Sequence, residues 1–440
     1  MTRHFETDPS VEISDAKNNH QSQIYDIKVV TPMFGGGVVA GENDPSMLIR
    51  ATSIRGHLRF WWRATRGTTY PEMREAENKI WGSTEISSKV GVRVNITNSG
   101  SKFVENHPAY ALFPFQGKKE HGKIKEEPKS GTVNIEFQLQ LSYPETLQLK
   151  IGNTDKIIQV NNEVEAAVWA WVNFGGIGAR TRRGCGTLFC KVFAPENQNK
   201  ICEWFKNHLQ KYGVQQKIED WLTLSQYMYI GDQMTKPMII MTKPMIIWDQ
   251  VISVYRNFRQ GKNIGRNEPA KGSRSPAGRS RWTEPDAIRR ITKTENNQHR
   301  QSITGNVNVF PRAEFGLPII FHFQGSGEPN DTELCPFVNG NRKERMGSPL
   351  ILKPLILADD NVVPCVLCMN GKQIDKVELN KSGSKSQFRV CSPQAANYNA
   401  SPLKNRSTNG SALEAFKKYL TEPDQNFNLI GKQHDDRNNK

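Results

Sequence analysis

Residues 169–188, W-A-W-V-N-F-G-G-I-G-A-R-T-R-R-G-C-G-T-L, constrain the fold more than any other stretch. Leading into them, Val164, Val168, Trp171 and Val172 recur at helical spacing, while Ala166, Trp169 and Ala170 fill the other faces. A helix this apolar all round has to be packed on several sides. The spacing predicts that it ends at Phe174, with Gly175 and Gly176 supplying the φ > 0 backbone that helix ends favour. Gly178, Gly184 and Gly186 then alternate with Arg180, Arg182 and Arg183, and residues 187–193 read as a strand.

Glycines let backbones approach closely and leave amide N–H groups free to face anions. Arginines add forked donors that suit phosphate oxygens. The order helix, loop, strand excludes a dinucleotide fingerprint, which needs strand, loop, helix. Two readings remain for the loop: a phosphate-facing surface, or a structural turn rich in glycine and arginine.

Upstream, residues 24–30 alternate as a first strand and Gly35, Gly36 and Gly37 make a turn. Ser53 is a good N-cap for a helix over residues 54–66, ended by Gly67. On its wheel Ile54, Leu58, Trp61 and Thr65 share one face, and Arg55, Arg59, Arg63 and Arg66 gather on another. Trp62 borders the arginines and is the better base-stacking candidate, whereas Trp61 reads as core; a solvated basic face is the plainer alternative. Pro71 opens a short helix, residues 90–96 and 131–142 read as strands, and the Lys/Glu-rich residues 118–129 read as an inserted segment. The order is β, α, β, β, α, β, an α+β unit of the ferredoxin-like, RRM-like kind.

The second half is less regular. Residues 201–229 read as one or two helices, and M-T-K-P-M-I-I at 234–240 is repeated at 241–247, one copy suiting a strand and the other a loop. Residues 251–258 and 286–291 look helical. Residues 261–281 form a basic loop rich in Gly, Ser, Pro and Asn, suited to ordering on a partner. Residues 315–323, 349–358 and 362–369 read as strands, and 412–420 as a helix. The division is therefore a disordered lead-in over 1–22, a first domain over 23–230 with the glycine loop at 175–186, and a second, degenerate ferredoxin-like domain over 231–440.

Four blocks carry a resemblance: the glycine loop, T-P-M-F-G-G-G at 31–37 with S-I-R-G-H-L-R-F-W-W-R at 53–63, G-R-S-R-W-T-E-P-D-A-I-R at 278–289, and R-M-G-S-P-L at 345–350. Together they resemble the RAMP superfamily of CRISPR-associated RNA-binding proteins, and within it the first RAMP subunit of type III-B (Cmr) effector complexes. The resemblance implies tandem ferredoxin-like domains in a multi-subunit ribonucleoprotein, with guide RNA or single-stranded target RNA and other Cmr RAMP subunits as partners. It also implies a binding component of antiviral defence rather than the nuclease. Because some RAMP relatives cleave RNA without metal, a metal-independent endoribonuclease is the alternative, and the fold cannot decide between them. An assembly protein whose basic surface docks on acidic neighbours is a third reading.

The formal net charge of +15 over 440 residues favours a polyanionic partner. No apolar run approaches the roughly 20 residues of a membrane span, the first residues are polar, and seven cysteines suit reduced thiols, so a cytoplasmic setting is expected. Single-stranded RNA needs a cationic track and stacking faces. The candidates are Arg55, Arg59, Trp62, Arg63 and Arg66 on the first helix, and Gly175, Gly176, Gly178, Arg180, Thr181, Arg182, Arg183 and Gly184 on the loop. Arg279, Arg281, Trp282, Arg289 and Arg290 add to them from the second half. No catalytic residue is assigned: His57 lies opposite the arginine stripe, and Asp26 and Asp44 fall in no recognisable pattern. Cys365 and Cys368, with Cys335 and Cys391, are a weak zinc signal, and no cofactor or metal is expected.

Overall fold

The computed structural model describes residues 20–105, 107–120, 123–151, 154–232, 243–269, 271, 278–381 and 384–431. The expected lead-in lies outside these residues up to 19, and the first strand already begins at His20.

The first half is built from β1 (His20–Val29), α1 (Ala51–Thr65), α2 (Met73–Trp81), β2 (Gly91–Asn98), β3 (Glu136–Pro144), α3 (Val160–Phe174) and β4 (Leu188–Phe189). Its antiparallel sheet has the order β4-β1-β3-β2. Alternation works as expected: Tyr25, Ile27 and Val29 of β1 and Phe137, Leu139 and Leu141 of β3 are buried beneath α1 and α3. The opposite face carries Ser22, Asp26, Gln138, Gln140 and Asn95, which the strand pattern leaves toward solvent.

The second half repeats this connectivity. After α4 (Ile201–Lys211) come β5 (Tyr227–Gly231) and α5 (Lys243–Gln260), followed by α6 (Thr283–Thr292). Further strands are β6 (Ile319–Phe321), β7 (Thr332–Val338), β8 (Asn341–Arg342), β9 (Leu350–Ile356), β10 (Val362–Cys368), β11 (Lys376–Lys381) and β12 (Ser384–Arg389). The chain closes with α7 (Ala412–Leu420) and β13 (Phe427–Gly431). The sheet β9-β10-β5-β13 has the same antiparallel order as the first, counted from its own first strand. A separate sheet, β6-β7-β11-β12 with β8 on β7, is inserted on either side of β9 and β10.

Every position of β9 and β10 is buried, because this sheet lies between two layers. Ile351, Leu355, Val363 and Leu367 pack into the core that contains α3, while Leu350, Leu352, Val366 and Cys368 pack against α5. The all-round apolar α3 is thereby explained: α1 and the first sheet take one side, the second sheet another. Among the described residues no helix is long and apolar enough to cross a membrane.

Several expectations are corrected. Helix α1 starts at Ala51 with Arg50 as N-cap, so Ser53 is inside it. The strand expected over 131–142 breaks at Asn134, which adopts φ 58°, into Gly131–Val133 and β3. Residues 227–231 form a central strand rather than the end of a helix, because β10 and β13 pair with both its edges. The strand expected over 187–193 is only Leu188–Phe189, followed by a 3-10 turn at Lys191–Phe193. Of the seven-residue repeat, Lys243–Ile247 opens α5 instead of forming strand or loop; the first copy lies outside the described residues, as do 270 and 272–277 of the basic loop.

Candidate nucleic-acid interface

The two glycine-rich loops are laced together. Ala179 N–H donates to Phe34 O (2.6 Å) and Gly186 N–H to Pro32 O (2.9 Å), while the Thr31 hydroxyl donates to Gly184 O (2.6 Å) and accepts from Thr187 N–H (2.8 Å). Such lacing needs missing side chains: Gly178 has φ +84°, and a Cβ there would lie 2.5 Å from Phe34 O. Gly175 and Gly176 are not left-handed, contrary to expectation; Gly175 has φ −91°. Their role is clearance, since a Cβ on Gly175 would lie 2.6 Å from Trp61 Nε1 and one on Gly176 2.8 Å from Gly186 O. The left-handed positions are Gly178, Gly184, Gly186 and Arg180.

Between these loops and the start of α1 lies a cleft of about 230 Å³, lined by Gly35, Gly36, Arg50, Ser53, His57 and Gly178 among others. Helix α1 has no side-chain cap and no acidic residue in its first turn, so its N-terminal amides and dipole leave positive potential at the rim. Asp44 holds the approach loop: its carboxylate accepts from Ser46 and Met47 N–H (3.0 and 3.1 Å) and pairs with Arg50, which keeps its pKa well below the usual range. His57 is half-buried, near-parallel to the Trp171 ring at 6.1 Å, and burial lowers its pKa, so it stays neutral. Asp26 sits on the far sheet face, accepting from Gln138 Nε2 (3.1 Å).

The loop arginines divide in two. Arg182 donates to Ser348 O, and Arg183 donates to Leu350 O (2.8 Å) and Ser348 Oγ (3.1 Å). Both therefore fasten the loop to the start of β9. Thr181 packs its side chain over Gly176. Arg180 instead places its guanidinium 5.0 Å from the ring centre of the exposed Phe113, with a neutral ring as its neighbour.

The arginine stripe of α1 is a correction. Glu77 on α2 accepts from Arg59 Nε (2.7 Å) and Arg63 Nη1 (2.6 Å). Glu163 on α3 accepts from Arg66 Nη2 (2.7 Å) and Trp62 Nε1 (2.7 Å). Arg55 reaches Val90 O at 3.5 Å. Trp62 is fully buried, so no base can stack on it. The groove beside Arg59 and Arg63 also holds Arg74 and Lys217, but against Glu72, Glu75, Glu77, Glu219 and Asp220, and so is not electropositive.

The second-half candidates are likewise engaged. Arg279 and Arg289 share Asp286 (2.7 and 3.2 Å), and Arg289 also meets Glu328 (2.8 Å). Arg281 bonds Asn267 Oδ1 (2.7 Å), and Arg290 bonds Asn308 Oδ1 and Ser302 Oγ (both 2.9 Å). Trp282 is buried, its Nε1 donating to Arg259 O (2.9 Å), and offers no stacking face. The cysteines of the zinc signal are all free thiols, and no cluster of three metal-ligating side chains occurs among the described residues. What the sequence reading missed is the cleft: the Gly-Gly-Gly run was its signal, but that it meets Gly178 and the α1 N-terminus required the fold.

A family model described as the RAMP superfamily matches residues 26–189, spanning β1, the cleft, the glycine loop and β4. Residues 26–189 resemble RAMP superfamily proteins. The chain is similar to the CRISPR system Cmr subunit Cmr1-2 of Pyrococcus furiosus, 27% identical over 187 residues that make up 38% of this chain and 92% of that one. It is also similar to Cmr1-1 of the same organism, 26% identical over 149 residues, covering 32% of this chain and 40% of the relative. Among solved structures, apo Cmr1 of Pyrococcus furiosus aligns with TM-score 0.44 and 16% identity over 80% of this chain and 89% of that one. A type III-B Cmr-beta structure bound to cognate target RNA aligns with TM-score 0.43 and 12% identity, covering 79% and 94%.

Proposed function

We infer that the chain is a non-catalytic RNA-binding subunit of a type III-B CRISPR ribonucleoprotein inside the cell, holding guide or target RNA beside other Cmr subunits. Two ferredoxin-like units form its body, the second interrupted by the inserted sheet. The observation that carries the reading is the cleft where the RAMP-like segment's two glycine loops meet the uncapped start of α1. Backbone amides and a helix dipole there suit phosphate oxygens without any base-reading code. The neutral His57 and the Arg50-bound Asp44 are poor candidates for proton transfer, which favours binding over the endoribonuclease alternative.

The test is a titration of single-stranded RNA labelled at both ends, so that binding and cleavage are read from one sample. Binding without cleavage is expected, with log affinity falling against log salt by roughly 0.7 per phosphate neutralised. Cleavage that survives purification and disappears in His57→Ala would overturn the non-catalytic reading. A flat salt response would favour the assembly protein.

A further inference from the structure

Next to the cleft, at the seam between the halves, arginines from both sides converge on two tyrosines. Arg183 from the glycine loop and Arg259 from α5 lie over the Tyr255 ring, 5.0 and 5.4 Å from its centre. Arg259 Nη1 donates to the hydroxyls of Tyr110 (2.9 Å) and Tyr255 (3.4 Å). The charges of Arg259, Arg183 and Arg312 all act on Tyr110, and Arg180 is close enough to feel Arg183, Tyr110 and Tyr255.

Their compensation is poor. Glu284, the carboxylate that acts on Arg259, is already engaged by Arg312: it accepts from the Arg312 backbone N–H at 2.8 Å and lies 3.2 Å from Arg312 Nε. Arg180, Arg183 and Arg259 face rings, phenols and backbone carbonyls. Burial raises the Tyr110 pKa, so its hydroxyl remains a neutral phenol. The Nε of Arg180 and of Arg259 are each sealed from solvent and donate to no group among the described residues. Arg259 shares the Glu284 carboxylate with Arg312, and Arg180 and Arg183 make no ion pair among the described residues, so an anion drawn from outside adds counter-charge to the cluster.

We propose that this seam, with Arg180 at its mouth and Arg259 beneath, is a binding site for a phosphoryl group. Several forked donors converging from different elements suit an oxygen-rich, multiply charged group. The exposed Phe113, under Arg180, marks where it enters. The proposal deepens the RNA-binding reading by making the phosphate track continue from the cleft into the second half. A phosphodiester of RNA and a free phosphate compound share this chemistry.

The full chain is titrated with a single-stranded RNA oligonucleotide and, separately, with inorganic pyrophosphate followed by thermal shift. Arg180→Gln is the main variant, because its side chain makes no ion pair among the described residues; Arg180→Lys is the conservative rescue. The expected result is RNA affinity about tenfold lower in Arg180→Gln, a salt slope smaller by roughly 0.7, a lost pyrophosphate shift, and partial recovery with lysine. Unchanged RNA binding together with no pyrophosphate shift in any form overturns the site and leaves the RNA reading standing. A pyrophosphate shift that depends on Arg180, in a protein that binds no RNA, supports the site and overturns the RNA reading. Arg259→Gln is then measured wherever its melting curve stays cooperative, and an unaltered affinity there also counts against the proposal.

Discussion

Glu163→Gln separates a structural from an RNA-facing role for the α1 arginines. The carboxylate is buried; one oxygen takes Arg66 Nε and Nη2 at 3.0 and 2.7 Å, the other Trp62 Nε1 at 2.7 Å. Glutamine keeps the shape but removes the charge and turns a donor toward at least one of these donors. Breaking a buried ion pair by removing one partner costs about 3–5 kcal/mol. The Arg66 side chain is 18% exposed, so water recovers part of its solvation, and the expected loss is about 3 kcal/mol. Urea denaturation followed by tryptophan fluorescence, with the slope checked for constancy, gives the number. The apolar pair Glu163→Met with Arg66→Met should regain part of it, because no uncompensated charge is left, while Trp62 Nε1 and Tyr212 O stay without their partners. A loss under about 1 kcal/mol for Glu163→Gln would refute the argument. So would a double variant that melts normally yet loses RNA affinity tenfold, since Arg66 would then be a phosphate contact.

Arg183→Gln should lower stability by about 1–3 kcal/mol, because the carbonyl of Leu350 and the hydroxyl of Ser348 lose their donor; a melting curve that does not move would show that the staple is dispensable. Gly178→Ala combines φ +84° with a clash against Phe34 O and should cost at least about 1–3 kcal/mol in the same urea assay, whereas a neutral result would mean that the two loops are not held as described. Lys353 is buried, its Nζ donating to the carbonyls of Gly175 (2.9 Å) and Val172 (3.3 Å) at the end of α3, and burial lowers its pKa to about 7. An unfolded lysine keeps its proton up to about pH 10, so above pH 7 the unfolded state binds more protons and stability rises with pH. From pH 7 to 8.5 wild type should gain about 1.5 kcal/mol from this group, and Lys353→Met should abolish that slope; equal slopes would refute the assignment.

Much of the local pattern was written in the sequence. The strand alternation of β1, the helical spacing of α3 and the α7 boundaries at Ala412 and Leu420 all arise from apolar periodicity and neighbouring turn residues. The order β, α, β, β, α, β and the four motif blocks depend only on succession along the chain. The glycine loop was legible as a place of close backbone approach, because missing side chains are visible in one dimension.

Which arginines are free was not legible. A helical wheel shows that Arg59, Arg63 and Arg66 share a face, but Glu77 and Glu163, which neutralise them, arrive from other helices. Trp62 borders the arginines on the wheel and is buried in fact, because α3 covers that border. Tyr227–Gly231 is a central strand only because strands more than a hundred residues away pair with its edges. Charge compensation and strand pairing are long-range terms, so composition could say that the chain is basic, and only the packed structure decided which arginines meet a carboxylate and which meet rings and carbonyls.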